Sequence, residues 1–289
     1  MNLLPNELIT LTKNQRKGNA IVTTLIGLVL AIIIQYFVSI PGESISNLGW
    51  REIYDNFSTI AMILFVLVFC FFIEKRKPET LGFIRKKASR NYVLGLLVGF
   101  VFISIVFLLN IITGSVNIKS DFSSIKWWFI IFSFVGFIFQ GLMEEVVCRG
   151  FIMNTIASRY GLIAGIVSNS IIFSILHGFN ASFSWLPAIN LFLVGVLLSV
   201  IFYYTGSIFV VAAIHTIWNF VVGPIYGIQV SGTPAYSAII NTAPKASHSL
   251  LNGGSFGIEG GLLLTIATLL FIGIVIYRIK NKPWEQVIK

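Results

Sequence analysis

The chain has 289 residues, of which 56% are hydrophobic and only 11% charged, with 26 Phe, whereas soluble domains carry about 25% charged residues. That balance excludes a water-soluble globular protein and leaves a polytopic membrane protein. The net charge of +9 needs no nucleic-acid partner, because membrane topology and attraction to anionic lipid account for it.

Crossing a hydrocarbon core of about 30 Å takes roughly 20 apolar residues. Nineteen largely polar residues come first, and no small-residue cleavage site closely follows the first apolar run, so that run reads as a retained anchor and not a cleaved signal. The expected spans are 20–40, 57–73, 92–112, 127–156, 162–176, 188–204, 208–222 and 262–277. Between them the longest polar stretches are 74–91 and 224–261, the second rich in Gly, Ser and Pro. The sequence therefore predicts an all-α fold of about eight transmembrane helices, one integral domain over 1–289, with any active site buried in the bundle.

Fifteen of the 20 Lys and Arg fall at positions 13–17, 75–77, 85–90, 159 and 278–289, all on one side of such a bundle. Arg51, Lys119, Lys126 and Lys245 fall on the other, and Arg149 lies within a span. The positive-inside rule makes the crowded side cytoplasmic. Both termini are expected there, in a multi-pass protein of the plasma membrane. Cys70 and Cys148 lie in apolar runs, so neither suggests a disulfide framework.

Three polar clusters interrupt the apolar spans. Glu144-Glu145 and Arg149 lie in the fourth, where ionisable groups are costly and mark function by default. On a helix Glu145 and Arg149 are four apart and can pair, while Glu144 points about 100° away; the bland alternative is a buried ion network that only fixes packing. Phe173 and His177 share a face near the end of the fifth span, so the ring can back the imidazole, although a single His there also suits an interfacial position. His215 and Asn219 share a face of the seventh, where helix packing is the rival reading. His248 and Asn252 repeat that spacing in a polar loop, so spacing alone is cheap. At 1.5 Å per residue the four groups Glu144, His177, His215 and Asn219 can all reach one level within the bilayer.

Taken in order, Glu144-Glu145-x-x-x-Arg149, Phe173-x-x-x-His177 and His215-x-x-x-Asn219 resemble the EExxxR, FxxxH and HxxxN signature of the CAAX prenyl proteases and bacteriocin-processing enzymes, intramembrane proteases also called the Abi family. Arg149-Gly150 and Gly206-Ser207 are similar to that pattern too, and Leu81-Gly82-Phe83 is a softer echo. The resemblance covers about 136–222. Cys148 departs from it, standing where bacterial members usually carry an aromatic, and is expected to alter packing only.

The resemblance implies hydrolysis of a peptide bond in or beside the membrane by an activated water. Glu144 is then the general base, His177 holds or shares the water's proton, and His215 and Asn219 donate to the developing oxyanion. Glu145, Arg149 and Phe173 support them. Zinc is the alternative activator, because Glu144, His177 and His215 could ligate it with water in the fourth position; Asn219 is a poor zinc ligand and a natural oxyanion donor, which favours a metal-free reading.

Other protease signatures are weaker. There is no HExxH, the GxSxG at 253–257 sits in a loop without the strand and helix its elbow needs, and Tyr54-Asp55 has no GxGD partner. A transporter would be expected to show repeated, broken spans, and none is visible. A catalytically silent scaffold or immunity protein is the remaining rival. The partners expected are the bilayer and a small amphipathic or lipidated peptide, reaching the site from the membrane or the cytoplasmic side.

Overall fold

The computed structural model describes residues 7–119 and 124–281; Lys282 and Lys289, counted above on the basic side, lie outside them. Eight helices in this part are long and apolar enough to cross a membrane, matching the expected number. In chain order the α-helices are α1 (Glu7–Gln15), α2 (Ala20–Glu43), α3 (Leu48–Ser58), α4 (Ile60–Phe72), α5 (Ala88–Ile112), α6 (Trp127–Glu145), α7 (Asn154–Tyr160), α8 (Leu162–Leu176), α9 (Trp185–Thr205), α10 (Ile208–Phe220), α11 (Ser249–Asn252) and α12 (Leu262–Asn281). Strands β1 (Val116–Lys119) and β2 (Asn241–Pro244) pair antiparallel, Val116 opposite Pro244.

Local chemistry sets several boundaries. The Asn19 side chain accepts the backbone N–H groups of Ile21 and Val22, satisfying donors that a helix start leaves free. The second span begins nine residues earlier than the hydropathy reading, at Leu48. Its first turns carry Arg51, Glu52 and Asp55, and polar residues hide a helix from an apolar-run criterion even where the helix is continuous in space.

The fourth span is one rod of 34 residues, Trp127–Tyr160, but its middle, Val146–Met153, is a π-helix. Such turns displace backbone hydrogen bonds and collect at functional sites. Here the Gly150 carbonyl accepts Arg76 Nη2 at 3.0 Å, and Arg76 also donates to Glu74 and Thr155. Arg76 and Glu74 are fully buried. The stretch 74–91 is thus partly interior, not the solvated cytoplasmic loop its polarity suggests. Its Gly82, at φ 89°, turns the chain so that its carbonyl accepts the first N–H of α10 from Ile208 at 3.0 Å.

Helix α10 is the axis of the bundle. Glycines let its neighbours approach: a Cβ on Gly95 or Gly99 of α5 would meet Val210 O or Ile214 O, and one on Gly141 of α6 would meet Thr216 N. Small residues at helix contacts are how membrane helices pack closely. The stretch 224–261 also departs from expectation. It folds back over the bundle, burying Ile228, Ser231, Phe256, Ile258 and Glu259, and its ribbon with β1 is tied down by Asn252, whose amide donates to Ser115 O and Lys245 O.

Candidate active site

All four predicted residues converge on one cavity of about 620 Å³, lined also by Gln140, Cys148, Phe173, Ser231 and Glu259. Helix α6 delivers both carboxylates, and their angular offset of about 100° separates their surroundings. Glu145 turns into the bundle, fully buried, and its Oε1 accepts Arg149 Nη1 at 3.0 Å and His215 Nδ1 at 2.8 Å. Glu144 turns to the cavity.

Arg149 is the keystone of this inner layer. Its Nη2 reaches across to the Gly195 carbonyl of α9 at 3.2 Å, and its guanidinium lies 4.8 Å from the Phe173 ring centroid, a cation–π distance. The Phe173 ring in turn stands 4.7 Å from the His177 ring and 6.1 Å from the His215 ring. Phe173 therefore stands beside both imidazoles.

Partners assign the imidazole protons. His177 Nδ1 lies 2.8 Å from the Phe173 carbonyl, which can only accept, so Nδ1 donates and Nε2 carries the lone pair. His215 Nδ1 donates to the Glu145 carboxylate, and in the neutral ring its Nε2 is bare as well. Both bare nitrogens face Glu144 Oε2, at 3.4 Å from His215 and 4.0 Å from His177. That oxygen is buried and makes no hydrogen bond within the described residues. Three lone-pair atoms converging without a proton between them mutually repel unless a donor sits among them.

Glu144 Oε1 is held differently. It accepts Gln140 Nε2, while Gln140 Oε1 accepts Asn219 Nδ2 at 2.9 Å. Asn219 thus reaches Glu144 through Gln140 and keeps one N–H for another partner. Gln140 is a residue the motif reading missed. It lies four before Glu144, the neighbouring position on a helix face, and an amide within a span needs a partner for the same reason Asn219 does.

Glu259 was missed as well, read as part of a polar loop. It accepts Trp218 Nε1 at 2.6 Å and the Ser231 hydroxyl at 3.0 Å, as well as the Ser231 N–H. It pins the folded-back segment to α10 at the cavity wall. Its place among five glycines within 253–261 conceals it in any search for apolar runs. The His248–Asn252 pair stays apart from the site: His248 is half-buried, and Asn252 holds the Ser115 and Lys245 carbonyls.

A zinc ion suits the donor types Glu144, His177 and His215. They are the side chains that would hold one, with both imidazole Nε2 atoms within 4.0 Å of Glu144 Oε2. Cys148 is buried on the cavity wall, a small apolar filler.

Residues 126–221 match the family model described as type II CAAX prenyl endopeptidase Rce1-like. The matched segment is about a third of the chain and runs from the start of α6 to the end of α10, carrying the three motifs. It agrees with the resemblance read from them, and the matched family is one of membrane proteases. No curated protein matches the chain.

Proposed function

We propose that this chain is an intramembrane endopeptidase, hydrolysing a peptide bond of a membrane-associated or lipidated peptide with a water activated by Glu144 and the two histidines. One observation carries the reading: two imidazole Nε2 atoms and one carboxylate oxygen, all proton acceptors, face a common point within 4.0 Å of Glu144 Oε2. A water there donates one hydrogen to Glu144 Oε2 and the other to His177 Nε2, which leaves a lone pair to face a carbonyl carbon in the cavity.

The steps follow from the contacts. Glu144 Oε2 takes a proton from the water as the oxygen attacks, while His177 Nε2 holds the second hydrogen. The carbonyl oxygen becomes an oxyanion, and the free N–H of Asn219 is its donor. His215 donates as well only where its Nε2 already carries a proton, a charge that Glu145 beneath it is placed to balance. The departing amine then receives the proton Glu144 removed, so water and peptide yield one carboxylic acid and one amine. Arg149, Phe173 and Gln140 act by holding these groups in place.

Purified wild type and Glu144→Gln, each reconstituted in liposomes with a quenched lipidated peptide library, test the reading. Cleavage by wild type and none by the variant is expected. Equal behaviour of the two, with both folded, would leave a scaffold.

A further inference from the structure

The most exposed residues lining the cavity lie toward the end opposite the basic residues. The clusters at 13–17, 75–77, 85–90 and 159 sit where α2 and α5 start and α4 and α7 end. The other end holds the α8–α9 connection, the start of α6 and α12, and the folded-back segment after α10. Lining residues nearest the basic end are closed in: Cys148 and Leu198 are 2% exposed and Ile214 is 4%. Those at the far end are open: Phe179 is 96% exposed, Tyr36 64%, and Thr233 is also exposed.

Helix α8 ends at Leu176 and runs on only as a 3-10 turn, His177–Phe179, which completes an 18-residue span. His177 therefore stands where the α-helix stops, and the wall beyond the turn is irregular backbone from 180–184 and from the segment after α10. Such backbone is tolerated at membrane depth where it is buried in protein or borders water. Ile32 and Tyr36 of α2 form one lip of the opening, and Leu176 and Phe179 form the other.

We propose that the substrate reaches this site from the extracytoplasmic side, as an apolar peptide segment lying in the outer leaflet and passing between α2 and the α8–α9 connection. The substrate class is accordingly an exported or membrane-inserted peptide whose scissile bond is presented from outside; a lipidated terminus in the cytoplasm meets the closed floor. The proposal rests on the protease reading above and on the orientation given by the charge distribution. It replaces the expectation of access from the cytoplasmic side.

Side of access is measurable without activity. In a chain carrying Cys70→Ala and Cys148→Ala, Phe179→Cys and Thr233→Cys are introduced singly at the mouth, with Lys86→Cys as the marker of the basic end. Spheroplasts of a bacterial expression host are treated with a membrane-impermeant maleimide, before and after lysis. The expected result is labelling at 179 and 233 in intact spheroplasts and at 86 only after lysis. Labelling at 86 in intact spheroplasts, with 179 and 233 protected until lysis, overturns the proposal, as does protection of 179 and 233 in both states. A quenched lipidated peptide added outside intact spheroplasts then separates the two readings. Cleavage by the unlabelled Phe179→Cys chain that falls at least tenfold once position 179 carries the bulky label supports both. Mouth labelling as expected without any cleavage overturns the protease reading and leaves the side of access standing.

Discussion

Replacing Arg149 by Met is the sharpest test of how the inner layer supports the site. The side chain is fully buried and makes two charge-assisted hydrogen bonds, to Glu145 at 3.0 Å and to Gly195 O at 3.2 Å, besides its contact with Phe173. Met fills much of the volume, so the loss is mainly electrostatic. Glu145 is left as a buried anion with His215 alone, and removing one partner of a buried pair costs about 3–5 kcal/mol. At about 2–3 °C per kcal/mol for a chain somewhat above 200 residues, the melting temperature should fall by roughly 6–15 °C. Tryptophan fluorescence of detergent-solubilised protein reports it, with six Trp in the chain, provided both proteins are heated at one scan rate. The double variant Glu145→Gln, Arg149→Met removes the stranded charge while leaving His215 an acceptor, so more than half of the loss should return. Melting of the single variant within about 2 °C of wild type, a shift worth under about 1 kcal/mol, would refute the buried-pair argument.

Other expectations concern the cavity face. Glu144→Gln should lower kcat by about 10²- to 10⁴-fold in a peptide-cleavage assay while leaving the melting temperature near wild type, because Gln keeps the shape and the acceptor for Gln140. Asn219→Ala should cost about 10²- to 10³-fold in kcat if its free N–H serves the oxyanion; an unchanged kcat would remove it from that role. Gln140→Ala should lower kcat by about 10- to 100-fold through misplacement of Glu144 and Asn219, with KM little changed, and Gln140→Glu should not restore it because a carboxylate has no N–H for Glu144. Activity should persist in excess of a strong zinc chelator; loss on chelation, restored by zinc, would transfer the water to a metal held by Glu144, His177 and His215.

The spans and three motifs were legible because each obeys a short-range rule. Apolar runs of membrane length mark helices whatever surrounds them, and Glu145–Arg149, Phe173–His177 and His215–Asn219 are neighbours at one helical turn. What escaped obeys longer-range rules. Gln140 is one polar residue whose meaning depends on Asn219, 79 positions away. Glu74 and Arg76 read as loop because polarity normally means solvent, yet they neutralise each other and Arg76 takes the carbonyl freed near the π turn. That turn has no signal in composition. Glu259 lies in a glycine-rich stretch whose backbone freedom lets it fold inward, so the residues that make it look solvated are those that let it be buried.

Adjacency of the two acids resolves a conflict built into any hydrolytic site in lipid. The chemistry needs a carboxylate that can gain and lose a proton beside water, while the bundle needs its buried charges neutralised at all times. One helix position cannot do both. Two consecutive positions can, because a step of about 100° sends Glu145 to Arg149 and His215 and Glu144 to the cavity. The pairing then carries information across the layer: Arg149 fixes Phe173, Phe173 backs His177 and His215, and Glu145 fixes the tautomer of His215. The inner acid therefore sets which His215 nitrogen faces Glu144, the nitrogen that in the proposed reaction stands beside the outer acid and its water. Exchanging the order of function, by leaving Glu144 intact and removing Glu145, should then damage stability and chemistry together, whereas removing Glu144 should damage chemistry alone.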